Sequence, residues 1–202
     1  MTDSSTGGFL APLEAAETDD ANLDDQIQPT IVGITGLDPT LVRPRWQETP
    51  PAQPARTVSW CAFGITEERA EVNPSEVHDG SADGGQGLSR EYRTEEIAVL
   101  ASFYGPGCRA LATQLRDGLA IAQNREAMRA LGLAFVSTDR ITSVPELTNE
   151  QWIRRVDVAF TLRRVSWRTY AIRNILTFQG TVTAAAQSVT GPRAVGAFMK
   201  TS

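Results

Sequence analysis

Few side chains in this sequence are spaced for catalysis, and the adjacent carboxylate pairs are the first to consider. Glu67-Glu68 and Glu95-Glu96 are neighbours in the chain, so in a strand the two members of each pair point to opposite faces. Carboxyls that diverge in this way cannot act together as acid and base on one substrate. We therefore expect both pairs to be solvated surface acids.

The other reactive groups are isolated from one another. Cys108 is expected at a helix N-terminus, where a thiol pKa can fall, but it also begins an apolar stripe and is expected to be packed. His78 is the only histidine, so neither a Cys–His pair nor a metal site is expected. The glycines of 83–87 lack the Lys-Ser/Thr and the helix start of a phosphate-binding loop. We predict no catalytic, cofactor-binding or metal-binding residue, no cofactor, and no enzymatic activity.

Arginine is the one strong enrichment, and it is concentrated in the segment 154–173. The six arginines of this segment are Arg154, Arg155, Arg163, Arg164, Arg168 and Arg173. They could follow a phosphate backbone, as in a DNA-binding module. Alternatively they pair with carboxylates, either within the fold or across a contact between subunits.

The net charge of −5 conceals a division along the chain. Residues 1–101 hold six arginines and eighteen acids, a balance of −12, whereas residues 102–202 hold thirteen bases and six acids, a balance of +7. The acidic surplus of the first half favours carboxylate pairing, in its intersubunit form, over DNA. A head-to-tail ring would place the acidic side of one subunit against the basic side of the next.

A second candidate contact lies in the proline-rich segment 38–56. Trp46 is flanked by Arg43 and Arg45 and has no predicted helix or sheet of its own to bury it. We expect this arm to dock on its own domain, with docking on a neighbouring subunit as the alternative.

Targeting signals are not apparent in the sequence. The start of the chain lacks a basic region followed by an apolar core, so no signal peptide is expected. No stretch reaches the roughly 18 apolar residues of a membrane span, and no membrane partner is expected. Two cysteines are too few for a disulfide scaffold, which favours synthesis in a reducing compartment.

The periodicity of the apolar residues predicts two kinds of element. Apolar residues every four positions predict a helix over 19–32 that kinks or ends early at Pro29. Further helices are expected from Cys108 to about 122 and over 125–131. Strands are predicted at 58–65, 97–103, 133–137 and 152–163. A last strand over 171–182 is expected to form a hairpin with the preceding one through a turn at 164–169.

These elements predict an α+β fold with a mostly antiparallel sheet of four to five strands, helices packed on one face, and extended N- and C-terminal arms. We divide the chain into a flexible arm at 1–18, a single domain at 19–183, and a C-terminal arm at 184–202. Residues 66–91 are expected to be a long exposed loop of the domain.

Four segments carry a resemblance to a known family. They read GITGLDPTLVRPRWQETPPAQP (33–54), SWCAFGI (59–65), SFYGPGCRALATQLRDGLAIAQNREAMRALGLAF (102–135) and VPELTNEQWIRRVDVAFTLRRV (144–165). In order and spacing the chain resembles the tail-terminator or neck proteins of tailed bacteriophages over most of residues 30–180.

The resemblance implies a structural virion protein at the tail–neck junction, made in the host cytoplasm. Similar proteins form a ring, usually a homohexamer, on the head-proximal end of the tail tube. The ring ends tube polymerisation and joins the tail to the neck and head. The implied partners are further copies of the chain, the tail tube protein and a neck or head-completion protein, while genome DNA passes through without sequence-specific binding.

Charge and exposure, rather than the resemblance, suggest which residues touch a neighbour. The candidate subunit-interface residues are Arg43, Arg45, Trp46, Arg154, Arg155, Arg163 and Arg164. The alternative function is a DNA-binding accessory module that uses the arginine-rich hairpin of 154–173. A small hydrolase is disfavoured, because no nucleophile and base are paired.

Overall fold

The computed structural model describes residues 3–14, 19–49, 51–148 and 150–176. Its helices are α1 (Asp19–Thr35), a short turn of helix α2 (Ala82–Gly85), α3 (Cys108–Leu119) and α4 (Ala122–Ala130), with a 3-10 turn at Pro39–Leu41. Its strands are β1 (Val42–Pro44), β2 (Trp60–Ala70), β3 (Ser75–Asp79), β4 (Leu88–Tyr104), β5 (Ala134–Ser143), β6 (Glu146–Thr148), β7 (Gln151–Ile153) and β8 (Arg155–Tyr170).

Six strands form one mixed sheet. Its order is β1-β2-β4-β8-β5, and β3 pairs with the first half of β4 beyond the end of β2. The β1–β2 pair is parallel and the other pairs are antiparallel. β6 and β7 form a separate two-stranded hairpin. The two longest strands, β4 and β8, are paired from Ser89↔Tyr170 to Tyr104↔Arg155 and form the spine of the molecule.

The core lies between one face of this sheet and the helices. Alternate residues of β4 and β8 are buried there, as period-2 alternation requires. α1 covers them with three apolar residues spaced four apart, and α3 covers them with a second stripe. The buried side chains at this contact are Leu23, Ile27, Ile31, Ile97, Val99, Ala101, Phe103, Cys108, Ala112, Leu115, Leu119, Val156, Val158, Phe160 and Leu162. This arrangement confirms the predicted α+β class, with slightly more strands than expected.

The predicted loop at 66–91 is wrong for most of its length. β2 continues to Ala70, β3 occupies Ser75–Asp79, and β4 already begins at Leu88. Most of these residues are exposed, which explains their polar composition. Their backbone groups are nevertheless satisfied by pairing with β4. The sheet therefore extends as an arm well past the helices.

The predicted hairpin of 154–173 is also wrong. β8 runs without interruption through the expected turn at 164–169 and ends at Tyr170. Residues 171–176 are not a strand, and the rest of the predicted last strand, 177–182, lies outside the described residues. β8 does not turn because β4 pairs with it along its whole length.

α1 does not break at its proline. Pro29 is on the exposed side of the helix, where the carbonyl that loses its intrahelical partner faces water. The helix continues to Thr35 and ends at Gly36, whose N–H bonds the Val32 carbonyl with φ at 69°. A glycine in the left-handed region is the usual helix terminator.

The N-terminal residues 3–14, predicted as part of a flexible arm, lie against the end of β8. The Ser4 N–H bonds the Ala171 carbonyl at 3.0 Å, and the Leu13 N–H bonds the Thr169 carbonyl at 2.8 Å. Arg173 donates to Asp3 at 3.1 Å. Residues 15–18 and the predicted C-terminal arm, 184–202, are outside the described part of the chain.

Candidate subunit-interface surface

The adjacent arginines of β8 pair with the adjacent glutamates of β4. Arg163 lies opposite Glu96 and Arg164 opposite Glu95 in the strand register. The two ion pairs measure 2.5 Å and 2.6 Å between nitrogen and oxygen. Because neighbouring residues point to opposite faces, one pair lies on each side of the sheet. The predicted divergence of Glu95 and Glu96 is therefore confirmed.

Glu95 is not the solvated acid that the sequence predicts. It lies on the same face as the core residue Ile97 and is buried. Ser166 donates to it at 2.7 Å, and Arg164, which also reaches Glu68, donates to it at 2.6 Å. Burial would raise the pKa of the Glu95 carboxyl, but these hydrogen bonds outweigh burial and hold that pKa below its usual value.

Arg155 is held in a second polar cluster on the face opposite the helices. Its guanidinium donates to both carboxylate oxygens of Asp157, at 2.8 and 2.9 Å, and to Glu146. Ser102, opposite Asp157 on β4, donates to Asp157 and accepts a hydrogen bond from Arg45. The hydrogen bond to Asp157 raises the pKa of Arg155, which burial opposes, so Arg155 stays charged.

The segment around Trp46 folds across this same face. Arg45 continues from β1, and its N–H bonds the Phe63 carbonyl at 2.6 Å. Trp46 has φ at 57°, a left-handed conformation that is rare for a bulky side chain. Its ring lies over Gly64, where an added Cβ would be 2.6 Å from the ring. The backbone of the arm docks on its own domain, as expected. The Trp46 side chain nevertheless remains mostly exposed.

Arg43 is held by backbone carbonyls rather than by acids. Its guanidinium donates to the carbonyls of Thr40 and Ala52 at 2.7 and 2.8 Å. Gln28 of α1 donates to the carbonyl of Val42 at 2.7 Å. These bonds fix the proline-rich segment to the body of the domain, and Arg43 has no carboxylate partner among the described residues.

An aromatic cleft lies beside this segment. Trp60 and Tyr104 are stacked, with ring centroids 4.4 Å apart. They line a cleft of about 410 Å³ together with Trp152, Arg154, residues 53–56 and Val58. Trp152 is exposed on the short β7 strand. Arg154 is exposed and makes no ion pair with any residue that the structure describes.

The other reactive residues have structural roles. Cys108 is buried in the core, as predicted. The second cysteine, Cys61, is buried too, and its burial raises the pKa of its thiol. His78 is exposed and bonded to Ser89 at 2.9 Å and to Asn174 at 2.7 Å.

Across the described residues, no three His, Cys, Asp or Glu side chains converge as a metal site. None of the described helices is long and apolar enough to cross a membrane.

Sequence reasoning missed the acidic partners of these arginines. Asp157 and Glu146 hold Arg155, and neither acid was expected as its partner from the sequence. The available signal was a carboxylate two residues from an arginine inside an otherwise apolar strand, since such residues share one face. Nothing in the sequence indicated that Ser102 would lie opposite.

The structure thus separates the seven predicted interface residues into two groups. Three have carboxylate partners in the same chain: Arg155, Arg163 and Arg164. Four lie around the aromatic cleft and the segment that borders it: Arg43, Arg45, Trp46 and Arg154. Only the second group forms a continuous surface.

Comparison with known proteins identifies the family. No curated protein matches the chain. A sequence model of the family described as phage neck terminator protein matches residues 21–186. This match spans most of α1, the whole sheet and both groups of predicted interface residues. The chain therefore belongs to the phage neck terminator protein family.

Proposed function

We propose that this protein forms a homohexameric ring on the head-proximal end of a phage tail tube, where it ends tube polymerisation and joins the tail to the neck and head. The observation that carries the proposal is the match to the neck terminator family over residues 21–186. The four segments that resemble tail terminators all lie inside that range.

The exposed surface supports assembly with other proteins. Large apolar side chains remain exposed at both ends of the sheet, including Trp46, Trp152, Val165 and Trp167. Only one face of the sheet is covered by helices. Exposed apolar patches of this kind are typical of protein–protein contact sites.

Three kinds of partner follow from the proposal: further copies of the chain, the tail tube protein, and a neck or head-completion protein. Genome DNA would pass through the ring without being read. The in-chain pairing of Arg155, Arg163 and Arg164 supports this, because these guanidiniums already hold carboxylates. The protein would be made in the host cytoplasm and carried in the virion.

We further propose that the subunit contact uses mainly Arg43, Arg45, Trp46 and Arg154. Arg163 could join it, since its ion pair with Glu96 is half-exposed. Arg155 and Arg164 are largely buried, so their part in such a contact would be to hold the sheet in shape.

The test is assembly on tail tubes. Purified tube protein would be polymerised with and without this chain, and the products examined by negative-stain electron microscopy. We expect a ring at one end of each tube and tubes that stop growing once capped. Immunogold labelling of virions should place the protein at the tail–neck junction. Tubes that grow equally with and without the chain, and carry no ring, would contradict the proposal.

A further inference from the structure

Once the in-chain ion pairs are formed, uncompensated charge remains at the two ends of β2. Glu71 and Glu76, around the β2–β3 turn, are exposed and form no ion pair within the part of the chain that the structure describes. Arg43, Arg56 and Arg154, around the aromatic cleft, likewise have no carboxylate partner among the described residues. The first end also exposes Glu67 and Asp79 against Arg69 and Arg90, so it is acidic on balance, whereas the other end is basic.

Both ends also expose apolar side chains. At the acidic end, Val72 is 89% exposed and Val77 is 57% exposed. At the basic end, Trp46 is 72% exposed and Trp152 is 70% exposed. We call the first surface, formed by Glu71, Val72, Glu76 and Val77, the acidic knob. We call the second, formed by Trp60, Trp152, Arg56 and Arg154, the tryptophan cleft; Trp46 lines the adjoining cleft on the other side of Trp60.

The knob of a chain cannot reach the cleft of the same chain. β2 runs from Trp60 at the cleft to Ala70 beside the knob, which at 3.2–3.4 Å per residue separates the ends by about 35 Å. β2 is also paired with β4 throughout and cannot bend back. Contact between these surfaces must therefore join two copies. Two different surfaces on one chain make a head-to-tail contact, and such contacts close into rings when the rotation allows.

We infer that the acidic knob of one copy docks into the tryptophan cleft of the next. This inference rests on the proposed ring and names the surfaces that form it. Val72 and Val77 would enter the cleft of about 410 Å³ between the tryptophans, while Glu71 and Glu76 face Arg56 and Arg154 at its rim. An aromatic, apolar centre with a charged rim is the usual anatomy of a specific interface.

The first test is a charge swap in the full chain. Arg154→Glu and Glu76→Arg should each raise the concentration needed for half-maximal ring assembly at least about tenfold, because like charges then face each other. The double variant should recover most of that loss. Arg129→Glu is the matched control, since Arg129 is an exposed arginine on α4, away from both surfaces. Circular dichroism would confirm that each variant is folded.

The second test is a cross-link that does not depend on charge. A chain carrying Val72→Cys and Trp152→Cys should form a ladder of disulfide-linked multimers under oxidising conditions on tail tubes. The native Cys61 and Cys108 are buried and should not contribute. Val72→Cys combined with Arg129→Cys should give no ladder.

The outcomes distinguish this contact from the proposed function. Rings on tubes with no ladder and no charge effect would overturn the contact and leave the function standing. Trp152→Cys cross-linked only to tube protein would also overturn it, because the cleft would then hold a different partner. Absence of rings on tubes would overturn both.

Discussion

Arg163 and Arg164 are neighbours in β8, but their ion pairs differ in exposure and therefore in their contribution to stability. Arg164 and Glu95 are 14% and 10% exposed, whereas Arg163 and Glu96 are 50% and 41% exposed. Exposed ion pairs contribute under about 1 kcal/mol, because water screens them. A buried carboxylate that loses its partner keeps its desolvation cost.

We predict that Arg164→Ala lowers the free energy of unfolding by about 3 kcal/mol, since it leaves Glu95 buried without its guanidinium. Arg163→Ala, the neighbouring control, should cost less than about 1 kcal/mol. Urea denaturation followed by circular dichroism measures both. Equal losses for the two variants would show that Glu95 is more hydrated than its burial indicates.

At the scale of elements, the junction between β4 and α3 depends on one glycine. Gly105 has φ at 89°, and a Cβ there would lie 2.5 Å from the Val58 carbonyl oxygen. The residue must therefore adopt a left-handed conformation and also admit a neighbouring backbone. Gly132 has φ at 79°, but a Cβ added there would have no atom within 4 Å. Gly132 therefore needs the left-handed conformation only and is not in close contact with another backbone segment.

We predict that Gly105→Ala destabilises the protein clearly more than Gly132→Ala. The Gly132 variant should lose about 1 kcal/mol, the cost of a left-handed alanine. The Gly105 variant adds a backbone clash and should lose about 3 kcal/mol or more in total. Thermal or urea unfolding measures the difference. Similar losses would mean that the 58–59 backbone moves aside freely.

The arm of β2, β3, β4 and β8 is the element that pattern reasoning handled worst. Residues 66–91 are polar and rich in turn formers, which normally indicate a loop. They form strands because β4 supplies backbone partners along its entire length. Most side chains of 66–91 are exposed, so the apolar alternation that predicts strands is missing there.

For the whole molecule, the charge division is partly neutralised inside the chain. Acids of the first half meet arginines of the second half across β4 and β8, and Asp3 and Asp83 hold Arg173. The alternative of pairing within the fold, left open by the sequence, thus accounts for most of the arginine cluster. Within the part of the chain that the structure describes, the charges without an ion-pair partner include Arg43, Arg56 and Arg154 at one end of β2 and Glu71 and Glu76 at the other.

We predict that the full chain binds duplex DNA weakly at physiological salt, with a shallow dependence of log K on log salt. A protein that neutralises many phosphates shows a slope near −0.9 per contact, and here Arg155, Arg163 and Arg164 of β8 are engaged with carboxylates. Fluorescence anisotropy over a salt series measures the slope. Tight binding with a steep slope that Arg163→Ala reduces would favour the DNA-binding alternative.

The sequence by itself determined the two-layer core and the family. In α1, α3, β4 and β8 one face is buried, and apolar residues therefore recur along the sequence with the period of a helix or a strand. This period can be read without the structure. The segments that resemble tail terminators pointed to the family that the match over 21–186 establishes.

Only the tertiary structure decided how far the strands extend and where the arginines are directed. The full length of β8, the register that places Arg164 on Glu95, and the cleft between Trp60 and Trp152 all depend on pairing between distant segments. Backbone pairing is independent of residue type and leaves little trace in a sequence. That is why the arginine cluster was visible from the sequence, while the carboxylates that neutralise most of it were not.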